Sequence, residues 1–235
     1  MDIFLFASCR VHRPFNCDRT HETGLFNNYN CLDTKWFEPN FIGSVYCSNY
    51  ILMLIKILVS RNISEKDKFC YPHILTDEHF YKLCDTFLQA QLIIVEISTI
   101  KYKKLSDRYI SNEEAKRYSN YNDGMIEEDE LSKNIVEIQE IIQKTGKQVL
   151  FVSHFIINSK VFDRKLIGRK QIIDSLTKNA TYFYNPTALV QSDICNNLLD
   201  SNHYSHAAEV LVMNELHNHL KIIQDKHFNA DLCPK

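Results

Sequence analysis

Asp2-Ile3-Phe4-Leu5-Phe6-Ala7-Ser8-Cys9-Arg10 stands at the start of the chain, and its reading decides the fold. From Ile3 to Ala7 every residue is apolar, and polarity returns abruptly at Ser8. A short run without alternation suits a strand covered on both faces, as in a parallel sheet. Leu92 to Ile97 and Val149 to Val152 have the same character, nearly all Ile, Val, Leu or Phe. Phe41 to Tyr46 reads as a further strand and Thr181 to Tyr184 as a late edge strand.

Helical patterns separate these runs. Ser48 to Ser60 is apolar all round. Asp77 to Gln89 opens with Thr76-Asp77 as its cap and repeats Phe80, Leu83, Cys84, Phe87 and Leu88 at helical spacing. Ile126 to Thr145 aligns Leu131, Ile135, Ile138, Ile141 and Ile142 on one face, with Gly146 as its stop. Asp163 to Asn179 is basic and amphipathic, and Ser205 to Gln224 ends the pattern with Ala208, Val212, Leu216 and Leu220 inward. Strands alternating with helices predict a three-layer α/β sandwich with a mainly parallel sheet. The 235 residues fit one such domain, 1–235. Polar stretches at about 9–40 and 99–124 are expected to be long loops flanking the rim where the strands end.

Composition narrows the function classes. Hydrophobic residues are 45% and charged residues 24%, ordinary for a globular protein. The net charge of −2 gives no reason to expect a nucleic-acid partner, although Lys101-Tyr102-Lys103-Lys104 is a local basic contact point. The longest apolar stretch, Tyr50 to Val59, is interrupted by Lys56 and is too short to span a bilayer, so no membrane partner is expected. The eight cysteines are irregularly spaced, contain no C-x-x-C pair and follow no signal sequence. Reduced thiols in a cytoplasmic protein, with no metal and no cofactor, are the expectation. The five glycines are scattered, so a phosphate-cradling glycine loop is missing.

Ligands of parallel α/β sheets bind beyond the carboxyl ends of the strands. Ser8, Ser98 and Ser153-His154 each follow a strand there. Far along the chain, Asp200 and His203 stand three apart in a loop before the last helix. A serine hydroxyl is a weak nucleophile until a histidine takes its proton, and an acid fixes that histidine's tautomer. Ser8, His203 and Asp200 are therefore the candidate catalytic residues. Cys9 is a rival nucleophile of the Cys-His kind. Arg10, His12 and Arg13 directly after the serine, and His154 at its own strand end, are candidate substrate-binding residues, because arginine donates to anions and hydroxyls in a fixed fork.

Ala7-Ser8-Cys9-Arg10 together with Asp200-Ser201-Asn202-His203-Tyr204-Ser205 resembles the first and last blocks of the SGNH (GDSL-like) hydrolase superfamily. The nearest likeness is to the branch with a G-S-C first block and a D-x-x-H-[YP]-[ST] last block, found among proteins of polysaccharide modification. The resemblance implies a doubly wound, flavodoxin-like sheet of about five strands. It also implies metal-free esterase or O-acyltransferase chemistry on an ester of a glycan or similar small substrate. In such a family the oxyanion hole would use the backbone N–H of Cys9 with Gly43, and Asn49 is the rival or compensating donor. The sequence departs from the family at two places. Ala7 replaces the usual glycine, and Glu96-Ile97-Ser98-Thr99 stands where a G-x-N-D-like turn would supply an asparagine. A catalytically inactive glycan-binding protein of the same fold is therefore the alternative expectation.

Overall fold

Leu92–Ile97 forms the strand at the centre of the main sheet, and all six of its residues are buried. The structure is a computed structural model that describes residues 1–20, 30–31, 47–70, 76–111, 115–157, 166–200 and 202–228. The strands are β1 (Asp2–Phe6), β2 (Asn30–Cys31), β3 (Leu92–Ile97), β4 (Lys101–Leu105), β5 (Arg108–Ile110), β6 (Asn122–Met125), β7 (Gln148–Ser153) and β8 (Phe183–Tyr184). The helices are α1 (Cys9–Thr20), α2 (Ser48–Ser60), α3 (Glu65–Cys70), α4 (Asp77–Gln89), α5 (Glu128–Lys144), α6 (Leu166–Asn179), α7 (Thr187–Ser192), α8 (Ile194–Asn197) and α9 (His206–His227).

The main sheet has five strands in the order β2-β1-β3-β7-β8, every pair parallel. This is the doubly wound, flavodoxin-like order. β3 pairs with β1 from Ile3↔Leu92 to Phe6↔Val95, and with β7 from Leu92↔Gln148 to Ile97↔Ser153. Strand side chains alternate between faces, so each strand serves two cores. Phe4, Phe6, Ile93, Val95, Ile97, Val149 and Phe151 pack with the inner faces of α2, α4, α5 and α6. Ile3, Leu5, Ala7, Leu92, Ile94, Leu150 and Val152 pack with Val11 and Phe15 of α1 and with Val212, Leu216 and Leu220 of α9. This double covering explains why the strands read as unbroken apolar runs. It is the three-layer sandwich expected from the alternation. Gly146 closes α5 at φ 77°, its N–H donating to the Gln143 carbonyl at 2.9 Å. A left-handed residue after a helix favours glycine.

Two stretches differ from expectation. Residues 9–20 were expected in a rim loop, and they form α1. Its polar composition and internal Pro14 hide a short stripe, Val11 and Phe15 one turn apart, both buried against the second core. Residues 99–124 were also read as a loop. Part of this stretch builds a second, antiparallel sheet in the order β5-β4-β6. It packs through tyrosines as well as through the buried Ile110: Tyr102 and Tyr109 meet edge to face at 5.5 Å, and Lys103 lies over the Tyr121 ring at 4.1 Å. The expected strand from Phe41 to Tyr46 lies outside the described residues. Among the described residues, no helix is long and apolar enough to cross a membrane.

The double-sided core sets a stability prediction. Phe151→Ala removes a fully buried ring from β7 and is expected to cost about 3–5 kcal/mol in urea unfolding. Leu199→Ala, at a side chain 68% exposed, is expected to stay within about 0.5 kcal/mol.

Candidate active site at the sheet rim

β1 ends on a serine that starts a helix. The Ser8 Oγ accepts from the Arg10 N–H at 3.3 Å, and the Ser8 carbonyl accepts from the N–H groups of Val11 and His12, both at 3.1 Å. Ser8 thus caps α1 and is fully buried. Its own N–H donates to Glu96 Oε2 at 2.6 Å. Glu96 sits on the face of β3 shared with Leu92 and Ile94, so alternation aims its carboxylate at α1 rather than at the opposite core. The second oxygen, Oε1, accepts from Arg10 Nε at 2.8 Å. Burial opposes the Arg10 charge, yet the paired Glu96 carries its pKa above the ordinary value. The Cys9 thiol is pushed up by burial, with Arg10 and Arg13 acting in the opposite sense. A thiol held in its protonated form is a poor nucleophile, which weighs against the Cys-His alternative.

The second half of the site is the loop before α9. Asp200 Oδ1 accepts from the N–H groups of Asn202 at 2.7 Å and His203 at 3.0 Å, a turn that folds the loop onto its own carboxylate. Asp200 Oδ2 lies 2.7 Å from His203 Nδ1. A carboxylate at that nitrogen selects the Nδ1–H tautomer and leaves Nε2 as the acceptor, the form a general base needs. The Asp200 carboxyl is lowered first by the His203 side-chain bond and then by the Asn202 N–H. A bridge between Leu198 and Tyr204 closes the loop, and the Ser205 Oγ caps α9 by accepting from the Ala208 N–H at 3.2 Å.

The end of β7 joins these halves. Arg169 of α6 donates through one terminal nitrogen to the Phe155 carbonyl at 3.1 Å. Its other terminal nitrogen reaches Asn202 Oδ1 at 3.1 Å and His154 Nε2 at 2.9 Å. Arginine can only donate, so His154 Nε2 accepts, and Nδ1–H donates to the Phe155 carbonyl at 3.1 Å. His154 is thereby fixed as a neutral, buried imidazole. The Tyr204 ring packs on Phe155 at 5.2 Å. Burial raises the Tyr204 phenol; Arg10 opposes that rise and Glu96 adds to it, which places the C-terminal loop within electrostatic range of the Ser8 turn.

The sequence-derived candidates therefore divide. Ser8, Cys9 and Arg10 stand together at the start of α1, and Asp200, His203 and His154 belong to the adjoining rim. Arg10 is committed to Glu96. Arg13 is half exposed and lies 3.8 Å from Glu209 of α9. His12 is buried behind the serine turn. Asn49 begins α2 on the other face of the sheet, where its amide donates to Glu130 at 2.9 Å and its oxygen accepts from Asn134. Gly43 lies outside the described residues. Glu96, Arg169, Asn202 and Tyr204 were not singled out from sequence. A lone glutamate inside Leu92-Ile93-Ile94-Val95-Glu96-Ile97 was a visible signal, whereas nothing in the chain marked Arg169.

Among the described residues, no three His, Cys, Asp or Glu side chains converge closely enough to hold a metal ion. Cys9, Cys47, Cys84 and Cys195 are free thiols. The chain matches no known family model, and no curated protein matches it.

His12 supplies a pH prediction. Burial drives its imidazole down to about 4 from an ordinary value of 6.5, against the pull of Glu96 and the Ala7 carbonyl. Between those values the unfolded chain holds a proton that the folded one lacks. Stability is therefore lost as pH falls through that window and does not change above it. The gap corresponds to about 3 kcal/mol. Urea unfolding at pH 7.5 and 4.5 is expected to show a smaller acid loss in His12→Gln than in the wild type, by roughly 2–3 kcal/mol. Equal losses in both proteins would contradict this reading of His12.

Proposed function

We propose that the chain is a serine esterase or O-acyltransferase that uses Ser8, His203 and Asp200 on an ester of a glycan or similar small substrate. The observation that supports the reading is the 2.7 Å contact between Asp200 and His203 Nδ1, on a loop tied through Asn202 to Arg169 of α6. His203 Nε2 takes the proton from Ser8 Oγ, and Asp200 stabilises the imidazolium. Ser8 attacks the ester carbonyl, and the C–O bond to the alcohol breaks after His203 returns the proton to the leaving oxygen. Water or a sugar hydroxyl then takes the acyl group from Ser8 by the same route in reverse.

The N-terminus of α1 supports the oxyanion step. The Cys9 N–H is the first of the helix, a position without a carbonyl partner inside the helix, and the helix dipole favours negative charge there. Gly43 or Asn49 is the further donor in this proposal; the Asn49 amide would have to leave Glu130 to serve. No cofactor enters the scheme, and a cytoplasmic site of action with reduced thiols belongs to the same proposal.

A second reading has its own observation. Ser8 is fully buried and its N–H is taken by Glu96, the first residue of the stretch that stands where the family pattern has its G-x-N-D-like turn. A silent glycan-binding protein would tolerate both features.

Labelling with a fluorophosphonate probe separates the two, because only an activated hydroxyl displaces fluoride from phosphorus. Wild-type protein is expected to gain one adduct, mapped to Ser8 by mass spectrometry and absent from Ser8→Ala. Asp200→Asn is expected to slow turnover of a chromogenic acetyl ester by about 10³–10⁴-fold through loss of the tautomer. No adduct on a folded wild-type protein would favour the binding reading.

A further inference from the structure

Among the described residues, three arginines stand at the rim, and their charges are met differently. Arg10 is paired with Glu96 at 2.8 Å, and Arg13 has Glu209 at 3.8 Å. Arg169 is buried at 7% exposure, and its partners among the described residues are all neutral: the Phe155 carbonyl, His154, Asn202 and the Phe155 ring, over which the guanidinium lies at 5.6 Å. Its pKa is lowered to about 10, first by burial and then by the nearby Arg10 charge, with Tyr204 alone acting in the other direction. A buried charge is strongly unfavourable unless it is paired, and structural arginines in protein interiors normally have a carboxylate. The contact with the Phe155 ring supplies no countercharge. The Phe155 carbonyl and the Asn202 side chain could be held by a neutral donor.

Geometry shows where a compensating charge would sit. A guanidinium has five N–H donors in a rigid fork, and the bonds to Phe155, His154 and Asn202 use three of them. Asn202, which Arg169 holds, is the residue before His203, and the N–H groups of both fold onto the same Asp200 carboxylate. An anion that reaches Arg169 is thus adjacent to the catalytic dyad. It would meet the fork either through the remaining donors or by replacing Asn202 Oδ1.

We propose that Arg169 is the anchor for an oxyanion, a carboxylate or a phosphate group, carried by the ligand of this rim. Where the esterase reading holds, on which this part rests, the substrate is an anionic ester such as an acylated uronic acid or a sugar phosphate, with its charged group on Arg169 and its ester at Ser8. Lysine would not replace it fully, because an ammonium keeps the charge but loses the two-pronged geometry.

The test is direct binding, independent of turnover. Calorimetric titrations of the full chain with sodium glucuronate, inorganic phosphate and neutral glucose, at ionic strength matched with sodium chloride, are expected to show saturable binding of at least one anion and none of glucose. Which anion binds assigns the carboxylate or phosphate source. Arg169→Met is expected to weaken that binding at least tenfold and Arg169→Lys by a smaller factor, while Lys178→Met on the same helix stays within twofold. The wild-type arginine Nε–Hε NMR resonances give a readout that needs no stable Met variant: one resonance, absent from the Arg169→Lys spectrum, shifts on titration. Failure of the wild type to bind either anion, or unchanged affinity in folded Arg169→Met, overturns the proposal. Fluorophosphonate labelling reports separately on the esterase reading. Arg169-dependent anion binding without labelling keeps this inference and removes that one, and labelling without anion binding does the reverse.

Discussion

A single buried carboxylate organises the rim. Glu96 is fully enclosed near the end of the central strand, bonded on one oxygen to the Ser8 N–H and on the other to Arg10. An unpaired carboxylate there would be costly by several kcal/mol, so the fold must bring both donors to it. Meeting that demand sets the backbone at Ser8, and the serine in turn caps α1. The turn that presents the candidate nucleophile is therefore fixed from the neighbouring strand, not only by its own sequence.

The same logic brings the chain's distant parts together. α1 and α9 lie on one face of the sheet and share a core. The loop before α9 is held to β7 and α6 through Asn202, Phe155 and Tyr204. Charges order the region in steps: Glu96 satisfies Arg10, Arg10 makes burial of Arg169 less favourable, and Asp200 holds His203. A rim built this way carries Ser8 at the start of α1 and the Asp200–His203 pair on one loop before α9, the pair held by its own hydrogen bonds.

Most of the architecture was legible because β1, β3 and β7 are covered on both faces and so leave unbroken apolar runs. Helices α2 and α4 were legible to the residue, since an apolar cylinder and a capped amphipathic stripe are strong local patterns. α1 was hidden because only Val11 and Phe15 mark its buried face and Pro14 argues against it. The small sheet was hidden because tyrosines among lysines look like a polar loop until their rings are seen to stack. Within the site, Asp200 and His203 were readable from their spacing. Glu96 and Arg169 act through tertiary partners that lie far away in sequence, and no local pattern encodes such partners. Asn49 looked available as a donor in sequence and is bound to Glu130 and Asn134.

The dependence of the rim on Glu96 is tested most directly by a double-mutant cycle of Glu96→Gln and Arg10→Met, measured by urea unfolding. The account predicts a coupling of about 2 kcal/mol or more, because each single change strands a buried partner that the double change removes. Additivity within about 0.3 kcal/mol would contradict it and show that the serine turn stands without the carboxylate.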